Sequence, residues 1–293
     1  MRTLPRVLVA LSVARVLASC GSDDFDPAWR VKTFRVLGVV EDPPDARAGD
    51  TVRLTAIVGD APARAARPVS VAWAVCAHLV VDAESGQRAC DPAQSVLLTG
   101  IAPTLTVPAA NGANPWGLFG YACSGGTLGL DAATHAPTCT GGDGFAFVRT
   151  LRVRGSTPNH NPGIARITLD GRTLDDGTPG TAPLCVGDRT QCRALPIVVE
   201  FAANAREPSP QIQPDGTTLS VPEALVTEFL VDGGDLDGSF RSDGDADLAP
   251  GPNPPHRDAF TPPSTAGTVR VWVLVQDGRG GLAAAQRTVV VGS

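Results

Sequence analysis

Six aspartates crowd the stretch VDGGDLDGSFRSDGDADLAPG, at Asp232, Asp235, Asp237, Asp243, Asp245 and Asp247. Alternating carboxylates are how hard oxygen ligands converge on Ca²⁺. Laid on the twelve-residue calcium loop, Asp243, Asp245 and Asp247 fill the first three ligand positions. Leu248 then falls where the loop needs glycine, and Pro254 where it needs a bidentate glutamate. The register fails, so the stretch reads as a solvated turn cluster with no metal, and calcium at Asp243, Asp245 and Asp247 is the alternative. Few apolar residues lie between Leu236 and Asp258, and Pro250, Pro252, Pro254 and Pro255 interrupt the run. The expectation is a long mobile excursion between strands.

A second group is aromatic. Trp116, Phe119 and Tyr121 lie together in NPWGLFGYAC, and on a loop they could stack on a sugar ring or anchor a partner. The plainer reading is a small core packed beneath a disulfide. The four histidines, His78, His135, His160 and His256, sit in loop-like or strand-end contexts with no neighbour in sequence that suggests a triad. The chain has no G-x-S-x-G, no H-E-x-x-H, no P-loop and no G-x-G-x-x-G after a strand. No cofactor is expected, and an enzyme is not the expected class.

The first residues carry an address. Arg2 and Arg6 precede a short apolar stretch, Val7 to Ala14, and small residues Ala18 and Ser19 lead to Cys20. This is the layout of a secretory signal peptide, and Arg15 stops the run well short of the roughly 20 residues a spanning helix needs. Leu17-Ala18-Ser19-Cys20 also resembles the bacterial lipobox. That resemblance implies cleavage after residue 19 and acylation of Cys20, with several acyl chains at about 0.8 kcal/mol per buried CH₂ holding the membrane. Gly21 in place of Asp implies, by the enterobacterial sorting rule, the outer membrane, its face undetermined.

Beyond Cys20 there are six cysteines: Cys76, Cys90, Cys123, Cys139, Cys185 and Cys192. An even number in an exported chain reads as disulfides. Six allow 15 connectivities, and closeness in sequence favours 76–90, 123–139 and 185–192, because short loops close cheaply. No spacing is C-x-x-C and the histidines lie elsewhere, so structural staples are expected rather than zinc. The net charge of −6 supplies no basic footprint for nucleic acid.

The elements that would position these residues are strands. With 43% hydrophobic residues, 32 Gly and 26 Pro, the composition allows packed cores but not long helices. TVRLTAIV puts Val52, Leu54, Ala56 and Val58 on one face, and VSVAWAV does the same for Val69, Val71, Trp73 and Val75. ITL and RTL flank Asp170-Gly171, a two-residue hairpin signal. GTVRVWVLVQDGRGGLAAAQRTVVV closes the chain as a hairpin, with Val269, Val271, Val273 and Val275 on one face.

Short alternating strands between turns predict an all-β chain of antiparallel sandwiches. A tryptophan on the third strand resembles immunoglobulin-like domains, although no cysteine on the neighbouring strand supplies their inter-sheet disulfide. PPDARAGDTVRLTA, the NP linker and the final VQDGRGG hairpin are together similar to two-domain envelope lipoproteins of myxobacterial type. The expected layout is a signal peptide at 1–19, a tether at 20–31, and an Ig-like sandwich at 32–157 with a Cys/Gly-rich insertion at 76–144. A second sandwich follows at 162–293.

The function expected is that of a lipid-anchored, non-enzymatic envelope or surface protein, a binding or structural module. Its partners would be the membrane, through the anchor, and an envelope protein or polysaccharide. A carbohydrate- or calcium-binding adhesin module is the alternative, and an extracellular hydrolase with an unrecognised site the third.

Overall fold

A computed structural model describes residues 27–292 apart from 65, 77–78, 82–87, 91–94, 110–115, 132–135, 156 and 246–252; for 79–81 and 88–90 it describes the backbone alone. Cys20, the lipobox, His78, His135 and Asp247 therefore lie outside the described residues.

The chain is all-β and forms two Ig-like sandwiches. In the first, Arg35–Asp42, Thr51–Gly59 and Thr104–Thr106 make a three-stranded sheet. It faces a five-stranded sheet ordered Asp45–Ala46, Asp143–Val153, Trp116–Ser124, Val69–Cys76, Ser95–Thr99. The second repeats the plan. Its five-stranded sheet runs Gly180–Pro183, Leu282–Gly292, Gly267–Asp277, Leu225–Val231, Phe240–Ser242. The facing sheet runs Arg172–Thr173, Ile164–Leu169, Leu195–Phe201, His256–Thr261, Asp235–Leu236. In each sandwich a short strand crosses over to pair parallel with the last long strand, Asp45–Ala46 in one and Gly180–Pro183 in the other. The remaining pairs within these four sheets are antiparallel.

Period-two alternation explains the cores. Val52, Leu54, Ala56, Val71, Trp73 and Val75 are all buried in the first, and Val269, Val271, Val273 and Val275 in the second. Buried Trp73 satisfies its indole by donating Nε1–H to the carbonyl of Gly100 at 2.8 Å. Asp170 and Gly171 turn with φ of 50° and 75°, the left-handed pair that a tight hairpin requires.

Two expectations change. The 76–144 stretch is not an insertion. Trp116–Ser124 is the middle strand of the five-stranded sheet, bonded to both Val69–Cys76 and Asp143–Val153, and its Trp116, Leu118 and Ala122 are core residues. Its glycines made it look unable to bury itself, but Gly120 is where the ring of Phe147 lies over the strand, edge-on to Trp73 with centroids 5.1 Å apart. The 236–258 stretch is not one long excursion either. It contains Phe240–Ser242, paired to Leu225–Val231, and the start of the His256–Thr261 strand.

A third core lies between the sandwiches. Leu37, Val40 and Ile57, on the outer face of the three-stranded sheet, pack on Leu230, Trp272, Leu274 and Leu282 of the second sandwich. The result is four sheets in one stack. The end of the expected tether is built into this body. Val31 donates to the carbonyl of Val231 at 2.7 Å, and Val231 donates to the carbonyl of Trp29 at 2.9 Å. The indole of Trp29 donates to Asp235 at 2.8 Å.

Candidate functional site

Two of the expected staples are present. Cys123–Cys139 and Cys185–Cys192 each have Cα atoms 5.3 Å apart, within the bridging range. Cys76 is disulfide-bonded. The backbone of Cys90 pairs with Leu79, while the Cys90 side chain lies outside what is described. Bonds of this kind persist in oxidising compartments, so the chain is built for an extracellular or envelope setting.

The aromatic group is split by strand alternation. Trp116 points into the first core and is 1% exposed, whereas Phe119 and Tyr121 occupy the opposite face of the same strand, half-buried. The odd separation of 116 from 119 and 121 already places them on opposite faces of a strand. On the outward face, Leu97, Ala74, Phe119 and Val148 form one cross-strand row. Leu97 is 76% and Val148 62% exposed. The five-stranded sheet of the second sandwich hides its outward face under the first sandwich, through Leu230, Trp272 and Leu274.

The aspartates have other work. Asp243 accepts from Arg206 through both oxygens, at 2.5 and 3.0 Å, from the amide of Leu225 at 2.8 Å, and from Nε2 of His256 at 2.9 Å. Asp245 accepts from the amide and hydroxyl of Ser242. Asp232 holds Arg270, and Asp235 holds Trp29, Arg30 and Arg189. With a guanidinium seated on Asp243, these carboxylates each have their own partners. No cluster of three or more metal-ligating side chains occurs among the described residues.

His256 has companions that the sequence did not reveal. Its Nδ1 lies 2.7 Å from the hydroxyl of Thr227, opposite the Nε2 bond to Asp243. Burial drives the imidazole below its usual pKa, with the bond to Asp243 working the other way. The neutral ring thus accepts from Thr227 and donates to Asp243. This is a hydroxyl–imidazole–carboxylate line, but Thr227 and His256 are both 0% exposed. A nucleophile sealed in a core meets no substrate, so the line is structural. The partners stand 29 and 13 residues from His256, and only the fold joins them. His160 is exposed and paired to Glu207.

Two cavities border residues of these groups. One, of about 490 Å³, opens between the 185–192 disulfide loop, the docked Arg30–Lys32 segment and residues 232–235. Its floor carboxylate, Asp235, is already bonded to cations. The other, of about 340 Å³, lies where the two sandwiches meet and is lined by Glu41, Arg149, Arg152, Gln276 and Asp277. Glu41 is only 6% exposed. Burial raises its carboxyl to about 8, against the pull of Arg149 and Arg152.

No family model matches the chain, and no curated protein matches it. Among solved structures it is similar to red sea bream transglutaminase, at 13% identity and a TM-score of 0.28 over 90% of this chain. It spans about a third, 32%, of that protein. It is also similar to the two tandem V-type regions of VCBP3, a v-region-containing chitin binding protein, at 14% identity and TM-score 0.27, over 88% of this chain and 100% of that one. A third is the Yersinia pseudotuberculosis adhesin InvE, at 16% identity and TM-score 0.22, over 86% of this chain and 58% of that one. Similarities at this level decide nothing about activity.

Proposed function

We propose that this chain is a lipid-anchored envelope protein that binds a protein partner through the outward face of its first five-stranded sheet. The observation that carries the reading is the outward row of Leu97, Phe119 and Val148, with Leu97 and Val148 exposed and Phe119 half-buried between them. The second sandwich uses the outward face of its own sheet Gly180–Pro183, Leu282–Gly292, Gly267–Asp277, Leu225–Val231, Phe240–Ser242 to hold another sheet against it. Exposed contiguous apolar surface of this kind marks an interaction site.

The docked N-terminal segment supports the anchored half of the reading. With Cys20 acylated, only residues 21–26 separate the lipid from Pro27, a reach of at most roughly 25 Å. Trp29 and Arg30 would then hold one end of the rigid stack near the bilayer and leave the rest projecting from it.

Two measurements test this. Mass spectrometry of the native N-terminal peptide is expected to find acylated Cys20; a peptide beginning elsewhere overturns the anchor. Affinity capture from detergent-solubilised envelope, with wild type against a Leu97→Asp, Val148→Asp variant, is expected to recover a partner that the variant loses. Equal recovery by both overturns the apolar face as the binding surface.

A further inference from the structure

The groove between the sandwiches is a second candidate site, and it adjoins the apolar face because Val148 lines it too. One wall is the Asp143–Val153 strand, which brings Arg149 and Arg152 to the rim with Thr150 between them. Opposite lies the turn after Gly267–Asp277, which brings Gln276 and Asp277. Glu41, at the end of the first strand, supplies a carboxyl nine-tenths buried. About 340 Å³ falls within the size range of small-ligand sites, which also favour domain interfaces.

The turn on that wall is closely packed. A side chain at Gly281 would collide with an Asp277 carboxylate oxygen at 2.3 Å and with the carbonyl of His160 at 2.9 Å. Gly280, at a φ of 99°, lets the Arg152 guanidinium lie against the turn, with Nη1 3.4 Å from the carbonyl of Gly278. Asp277 uses one oxygen to accept the amides of Arg279 and Gly281 at 2.8 Å each, and it accepts from Asn159 through the other. Its charge is thus spent on holding the turn.

A guanidinium pairs well with an oxyanion, and Arg149 and Arg152 each lie close enough to Glu41 to act on its charge. Thr150 and Gln276 are neutral hydrogen-bonding groups suited to hydroxyls. We propose that this groove binds the carboxylate of an acidic sugar, with Arg149 and Arg152 taking the anion and Glu41 donating its proton to an anion oxygen. The charged groups that act on Glu41 are Arg149 and Arg152, while Asp277 lines the same groove and His160 is paired to Glu207. Because the Glu41 carboxyl ionises only near 8, it is a donor at neutral pH. Above that it becomes a second negative charge in the site and repels the ligand.

The test is calorimetric titration of the full folded chain with glucuronate, with glucose and inorganic phosphate as separate arms. Glucuronate is expected to bind at pH 6 and to weaken by up to about tenfold by pH 9. Glu41→Gln, which keeps a donor but cannot ionise, is expected to remove that pH dependence. Arg149→Ala, Arg152→Ala is expected to weaken binding at least about tenfold, with circular dichroism confirming that it folds. No glucuronate binding at pH 6, equal binding of glucose, or a wild-type affinity that is flat with pH overturns the proposal. Phosphate binding as tight as glucuronate overturns the sugar assignment.

Discussion

Asn161 and Glu41 stitch the two sandwiches together. The side-chain amide of Asn161 donates to the main-chain carbonyl of Glu41 at 2.8 Å, and its oxygen accepts the amide of Leu282 at 2.8 Å. One residue of the linker thus ties the first strand of one sandwich to the last strand of the other. Two positions earlier, Asn159 repeats the device, its backbone amide donating to Asp45 at 3.0 Å and its side chain to Asp277 at 3.3 Å.

Replacing Asn161 with Ala strands both partners. Leaving a buried donor or acceptor unmet costs about 1–3 kcal/mol, so Asn161→Ala is expected to lower the stability by roughly 2 kcal/mol. Denaturant unfolding measures it. The same variant should speed amide exchange at Leu282 while leaving exchange in the Leu195–Phe201 strand unchanged.

The third core should make the stack unfold as one. Leu274 is 0% exposed and packs between the sandwiches. Leu274→Ala removes that contact at a cost of about 2–5 kcal/mol. Calorimetry is expected to show one cooperative transition for wild type and two separated transitions for the variant, since each sandwich retains its own core.

The pH dependence of stability follows from Glu41. Below pH 4.5 its carboxyl is protonated in the folded and unfolded chain alike. Between there and about 8 the unfolded chain releases a proton that the folded chain keeps, so stability falls as pH rises through that window and levels off above it. At roughly 1.4 kcal/mol per unit the loss is on the order of a few kcal/mol. Glu41→Gln is expected to raise the melting temperature at pH 8.5 and to leave it unchanged at pH 4.

Strand content was legible because burial enforces period two. Val52 to Val58 and Val269 to Val275 announce their inward faces with no help from distant residues. The stacking of the sandwiches was not legible. Leu37, Val40 and Leu274 stand on strand faces that a solitary sandwich would leave wet, and nothing local distinguishes a wet face from a covered one. Gly120 misled for a related reason. Its lack of a side chain reads as weakness, yet Phe147, from a strand paired to it, fills the space. The groove was hidden as well, since Glu41, Arg149 and Asp277 come from three distant segments. The acidic stretch misled most, because composition displays six carboxylates but not the guanidiniums of Arg206, Arg270 and Arg189 that meet three of them.

Asp243 brings the calcium alternative to a decision. Burial works to raise its pKa, but the bonds from Arg206, the Leu225 amide and His256 outweigh it and leave the carboxyl below its usual value. The stability it contributes is therefore present above pH 3.8 and lost as pH falls through its lowered folded value. Arg206, its side chain 7% exposed, also lies over the ring of Phe201, 4.9 Å from the centroid. Asp243→Ala leaves that guanidinium buried without its main counter-charge, a loss of about 3–5 kcal/mol. A calcium ion at Asp243 would have to displace Arg206 and pay the same penalty, so millimolar Ca²⁺ is expected to leave the melting temperature of wild type unchanged. A calcium-dependent rise that disappears in Asp243→Ala, and that Mg²⁺ does not reproduce, would show instead that the loop rearranges around the ion.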